Sequence, residues 1–182
     1  MWRHALFLVV LVGGALALSW LLVPRGQELA LMHYKARSYG DALAGFERAF
    51  YAPGGSTALV VPLRDLYLRQ GEIDGAVAAV ERALAARPHD VEAFDLALDV
   101  YRDTMRDARY TDVLEQRVAL AASVARVREL VARHAFAADV AGERRALEML
   151  QAGGQANAAE LMRLARVQVA DGDAAAAAAT LD

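Results

Sequence analysis

The chain has 182 residues, 20 Lys and Arg against 23 Asp and Glu, a formal net charge of -3, and no cysteine. That balance supplies no basic stripe to neutralise a phosphate backbone, so nucleic acid is not an expected partner. The missing cysteine removes disulfides, thiolate metal sites and cysteine nucleophiles. Hydrophobic residues make up 57% of the chain, yet aromatics only 7% and prolines four. Much of the apolar content is alanine, the best helix former and a small packing residue, so the composition is that of closely packed helices.

The first predicted element is the uncharged run ALFLVVLVGGALALSWLLV, residues 5–23. At 1.5 Å per residue it reaches roughly 28 Å, about the thickness of a hydrocarbon core. Trp2 and Trp20 stand near its ends, where amphipathic rings favour the interface, and Pro24 and Arg25 stop it. Residues 1–24 therefore read as a transmembrane signal-anchor. The rival is a signal peptide cleaved near Ala15-Leu16-Ala17, but the apolar run continues through LSWLLV beyond that point. Arg3 favours an inside amino terminus, while Arg25, Lys35 and Arg37 pull the other way. A signal-anchor places the rest of the chain outside a bacterial inner membrane, in the periplasm. The opposite orientation makes it a cytoplasm-facing assembly or proteolysis adaptor.

Residues 25–182 carry an internal period. Tyr39 and Ile73, Ala42 and Ala76, Phe46 and Val80, and Ala49 and Ala83 are each 34 residues apart, and helix-period apolar spacing surrounds each set. Each unit reads as two helices joined by a turn. The first pairs GQELALMHYKAR with YGDALAGFERAFY, and the second pairs TALVVPLRDLYLRQ with EIDGAVAAVERALAAR. Pro62 falls in a first helical turn, where its missing N–H costs little. Small Ala42, Ala49, Ala76 and Ala83 let backbones cross closely, and Phe46 fills the space between pairs. Gly71 is expected to end one helix as a left-handed cap, and Pro88 to end the next.

Three further hairpins follow with weaker patterns. VEAFDLALDVYRDTMRDARYTDVLEQRVAL is expected to be a third pair, its second helix displaced by roughly three extra residues. A fourth spans 124–138 and 142–151. NAAELMRLARVQVADGDAAAAAATLD supplies a fifth, whose last helix is nearly pure alanine and ends without a polar cap. That end is expected either to belong to a longer repeat protein or to dock its edge on a partner. In the third pair, Asp95, Asp99, Asp103 and Asp107 recur every four residues among Arg102 and Arg106. This ridge reads either as an acidic strip for a basic partner or as a solvated face of local ion pairs. Arg126, Arg128, Arg133, Arg144 and Arg145 pose the same choice for an anionic partner.

The pattern resembles the tetratricopeptide repeat family. The second unit carries the family's positions in Leu63, Tyr67, Gly71, Ala76, Val80, Ala83 and Pro88. The first carries them in Leu29, Ala30, Tyr39, Ala42, Phe46 and Ala49, with Pro53 nearly in register. The resemblance implies an all-α protein, a right-handed α-solenoid of four to five hairpins following the transmembrane helix. It also implies a concave groove lined by the first helix of each pair that holds a peptide or a helix of another protein. By resemblance the groove includes His33, Arg64 and Tyr67, the last doubling as a packing residue. The expected work is that of a membrane-tethered scaffold in a cell-envelope complex, for which polysaccharide export is the specific version the resemblance implies.

Chemistry finds little support in the sequence. His4, His33, His89 and His134 show no metal-ligand spacing. The serines occupy no nucleophile elbow, and the glycine pairs at 13–14, 54–55 and 153–154 lack the Lys-Ser/Thr of a phosphate loop. No cofactor and no catalytic residue is expected.

Overall fold

A computed structural model describes residues 26–181, all of whose regular elements are helical. The signal-anchor expected at residues 1–24 lies outside the described residues. None of the described helices is long and apolar enough to cross a membrane. The chain forms two compact units that divide between Glu72 and Ile73.

The first unit holds α1 (Gly26–Lys35), α2 (Tyr39–Tyr51), a 3-10 turn (Thr57–Leu59) and α3 (Val60–Gln70). The crossing of α1 and α2 is set by small residues: a β-carbon added to Gly45 would sit 2.7 Å from that of Ala30. Ala42, Leu43, Phe46 and Phe50 fill the interface, whereas Ala49, expected at the crossing, is only half-buried. Ser56 starts the 3-10 turn by accepting a hydrogen bond from the N–H of Ala58 at 3.3 Å. Pro62 then sits in the first turn of α3, where no intrahelical donor is lost. Leu63, Leu66 and Tyr67 turn inward. Gly71 closes α3 in the left-handed region at φ 76°, and the N–H of Glu72 reaches back to the Tyr67 carbonyl at 2.8 Å.

The second unit holds α4 (Ile73–Ala86), α5 (Val91–Asp103), α6 (Asp107–Leu120), α7 (Val124–Phe136), α8 (Val140–Ala152), α9 (Ala158–Ala170) and α10 (Ala174–Leu181). Hairpins α5–α6, α7–α8 and α9–α10 form its body, and α4 covers α5 at one side. Each hairpin hands on to the next through its second helix, α6 against α7 and α8 against α9. Ala76, Ala79, Val80 and Ala83 of α4 are buried, as are Phe94, Ala97, Leu98 and Tyr101 of α5. Pro88 lies exposed between these two helices, and Asp90 caps α5 by accepting from the N–H of Glu92 at 2.9 Å.

Backbone conformation exposes the register. Arg37 (φ 62°), Gly71 (76°), Met105 (53°), Ala138 (56°) and Gly172 (84°) are left-handed and recur at intervals of 34, 34, 33 and 34 residues. Each ends the first helix of a repeat. α3 and α4 lie on either side of the division between the units, which falls just after the left-handed Gly71. The third hairpin has no inserted residues, contrary to the sequence expectation: Met105 takes the left-handed turn that glycine takes at Gly71. The fourth hairpin also differs, since α8 starts at Val140 rather than at 142. Asp139 is the reason, because its carboxylate accepts from the N–H of Gly142 at 3.0 Å and nucleates the helix two residues earlier.

Candidate protein-binding groove

In the first unit, α1 and α3 face each other across an open cavity of about 660 Å³. Leu31 and Tyr34 line it from α1, Val61, Arg64, Asp65 and Arg69 from α3, and Phe46 of α2 forms part of the floor. Leu31 and Val61 are 46% and 55% exposed, so both walls offer uncovered apolar surface. The polar side is tightly organised. Asp65 accepts hydrogen bonds from the Tyr34 hydroxyl at 2.6 Å and from Arg69 Nε at 2.8 Å. Tyr34 packs edge-on against Tyr39 and Phe46, with ring centroids 6.0 and 6.5 Å away. The Arg69 guanidinium stands 5.6 Å from the Tyr39 ring centre.

These contacts set the charges. Its hydrogen bond to Asp65, then burial, raises the Tyr34 phenol above the ordinary tyrosine value. For Asp65, burial opposes ionisation, but the hydrogen bonds from Arg69 and Tyr34 outweigh it and hold the carboxyl below its usual range. The site therefore has a fixed ionic wall beside an apolar floor. Its acid and base already satisfy each other.

Of the three groove residues that the resemblance implied, one is here. Arg64 lines the cavity. Tyr67 is 4% exposed and lies beneath α3, donating its hydroxyl to Glu47 of α2 at 2.6 Å. Burial first, and then this bond, raises its phenol well above the ordinary value. His33 turns to Asp41 of α2, with Nδ1 3.9 Å from Oδ2. Leu31, Tyr34, Val61 and Asp65 also line the cavity and were not singled out from the sequence. A signal existed, since Leu31 and Asp65 stand one 34-residue period apart on the first helices of two repeats.

The acidic ridge of the second unit does not present itself as one strip. Asp95 turns toward two arginines, Arg117 of α6 at 3.3 Å and Arg126 of α7 at 2.9 Å. Arg126 also holds Glu129 at 2.9 Å, Glu129 accepts from the Tyr110 hydroxyl, and Arg133 stands 4.3 Å from the Tyr110 ring centre. Asp99 pairs with Arg102 at 2.5 Å and Asp107 with Arg133 at 2.5 Å, while Asp103 is exposed at the end of α5. Arg128 and Arg144 are likewise engaged, with Glu160 at 2.7 Å and Glu148 at 2.8 Å.

A second recurring feature escaped the sequence reading. Glu47, Glu81 and Glu115, each 34 residues from the last, sit on second helices. Each meets a polar residue of the following first helix: Tyr67 at 2.6 Å, Tyr101 at 3.4 Å and His134 at 3.2 Å. Burial, reinforced by Glu81, pushes the Tyr101 phenol up to about 12. His134 is 4% exposed, and its other ring nitrogen lies 2.9 Å from Asp139. Among the described residues no cluster of three or more His, Cys, Asp and Glu could hold a metal ion.

No protein-family model and no curated protein matches this chain. Solved structures do. A chain of the Naa15/Naa10 structure bound to HypK-THB superposes with a TM-score of 0.56 at 18% identity over 85% of this chain. MamA superposes at 0.50 with 12% identity, and MamA AMB-1 at 0.52 with 15%, each over 85% of both chains. The fold is that of tetratricopeptide repeats. This chain spans only 24% of the matched Naa15/Naa10 chain.

Proposed function

We propose that the chain is a protein-binding scaffold whose groove between α1 and α3 holds a segment of a partner. The observation that carries this reading is the uncovered apolar surface of Leu31 and Val61 beside the ordered Tyr34–Asp65–Arg69 cluster. An apolar anchor seated against preformed apolar surface is a usual source of binding energy, and fixed polar neighbours orient it without further ordering cost. Tetratricopeptide likeness adds weight, because the Naa15/Naa10 assembly is itself seen bound to HypK-THB.

The apolar run at residues 5–23 supports the finer reading of a membrane-tethered scaffold in the cell envelope. Polysaccharide export as the process served rests on the family resemblance alone. A reporter fused after Asp182 tests orientation: an exported enzyme reporter is expected to be active, and activity of a cytoplasmic reporter alone overturns the envelope reading. The groove itself is tested by a photoreactive residue in place of Val61 in the full chain, in its native membrane. A discrete protein adduct is expected there and not at Arg48 on the exposed face of α2. Equal or absent labelling at the two positions refutes the groove.

A further inference from the structure

One position recurs near the end of the first helices. Tyr67, Tyr101 and His134 each stand four residues before a left-handed turn residue, Gly71, Met105 and Ala138 in turn. All three are buried. The Tyr67 and Tyr101 hydroxyls donate to Glu47 and Glu81 of the helices before them. A phenol keeps its proton through the neutral range, so those two contacts do not respond to mild changes of pH. At the third position an imidazole takes the place of the phenol, and it meets two acids rather than one.

His134 Nε2 lies 3.2 Å from Glu115 Oε1 of α6, and Nδ1 lies 2.9 Å from Asp139 Oδ2 in the turn to α8. A β-carbon added to Gly142 would sit 2.3 Å from Nδ1, so the backbone of α8 hems the ring in on that side. A cavity of about 220 Å³ beside the ring is lined by apolar Val118, Leu130, Ala146 and Met149 and by the charged Glu115 and Arg145. Arg145, on α8, keeps its charge at any ordinary pH. Asp139 is ionised: the Gly142 N–H foremost, with His134 after it, holds its carboxyl below the usual range although burial opposes this. A ring with one proton donates at one nitrogen and turns a bare lone pair toward the acid at the other. Only a ring with both protons donates to both acids, and each such bond is charge-assisted. Imidazole is the side chain that ordinarily gains or loses a proton between about pH 5 and 8.

We propose that His134 is a proton-operated latch: with both ring nitrogens protonated it ties α6 to the α7–α8 turn through Glu115 and Asp139, and loss of one proton loosens that joint. The joint therefore tightens on mild acidification, whereas the tyrosine contacts at Tyr67 and Tyr101 do not change. The inference concerns the second unit and stands independently of the groove reading.

The test is amide hydrogen exchange of the full chain in detergent, read on residues 134–143 and corrected for the intrinsic pH dependence of exchange. This segment includes the N–H groups of Asp139, Gly142 and Glu143, which hold the turn. Protection there should fall about tenfold or more between about pH 5.5 and 8, as one charge-assisted hydrogen bond is lost. His134→Gln keeps a donor but has no proton to lose, and glutamine already stands at the corresponding buried position, Gln168, four residues before Gly172. Its protection should be the same at both pH values. Circular dichroism checks its helix content; if that is lost, Glu115→Gln, at an exposed position, takes its place and should cut the wild-type change to about half or less. Nitrogen-15 resonances of the His134 ring should read N–H at both nitrogens at the lower pH and at one nitrogen at the higher. Unchanged protection in wild type, a wild-type response in the variant, or a ring that keeps one protonation state throughout overturns the proposal.

Discussion

The left-handed turn residues offer a sharp test of the repeat register. Met105 and Ala138 hold φ 53° and 56° in the position where Gly71 holds 76°. For a residue with a β-carbon, the left-handed region costs roughly 1–2 kcal/mol. Replacing it with glycine removes that strain but adds freedom to the unfolded chain, which returns roughly 0.5–1 kcal/mol. Met105 is 87% exposed, so its truncation forfeits little packing. Met105→Gly should therefore stabilise by about 0.5–1 kcal/mol, and Ala138→Gly by a similar amount. Gly71→Ala runs the other way and should cost about 1 kcal/mol, although nothing lies within 4 Å of its added β-carbon. Urea denaturation followed by far-ultraviolet circular dichroism reads all three as midpoint shifts at constant slope. A Met105→Gly protein less stable than wild type, or a Gly71→Ala protein of unchanged stability, would refute the register argument.

Other consequences concern packing and charge. Gly142→Ala should cost roughly 1–3 kcal/mol, because its β-carbon would lie 2.3 Å from both His134 Nδ1 and Asp139 Oδ2; an unchanged melting temperature sinks that account. Ala76, fully buried on α4, should tolerate Leu at a similar cost of roughly 1–3 kcal/mol, whereas Asp99→Asn on the surface should stay within about 0.5 kcal/mol. If the two variants melt alike, Ala76 is not a packing residue. Burial and Glu81 raise the Tyr101 phenol from 10.0 to about 12, which means the fold favours its neutral form. That stabilisation is intact below pH 10 and is lost as pH climbs through the folded value. Stability should thus fall more steeply between pH 10 and 12 in wild type than in Tyr101→Phe, and parallel curves would contradict the assignment.

The period-34 packing positions were legible because small and large residues alternate with a spacing that helical hairpins require. Ala42, Phe46, Ala76 and Ala83 are buried, and Gly71 is left-handed. The third and fourth turns were harder. Met105 and Ala138 carry no glycine signal, so their conformation comes from the hairpin geometry around them rather than from residue preference. The groove was only partly readable. His33, Arg64 and Tyr67 share the first helices, but a helix face is fixed by contacts across to α2, and those contacts drew His33 to Asp41 and Tyr67 to Glu47. Asp95 shows the same limit: its arginine partners are 22 and 31 residues away in sequence, and only the stacking of α5, α6 and α7 brings them together.

In the proposed function, the groove between α1 and α3 grips an apolar anchor of a partner. The most direct measurement is the affinity of the segment captured at position 61, by calorimetry, for the full chain and for Val61→Asp with unchanged helix content. A carboxylate placed on the 55% exposed Val61 should leave the fold intact but charge the apolar wall. Binding should weaken at least about tenfold, roughly 1.4 kcal/mol. Equal affinity for the two proteins would contradict the account.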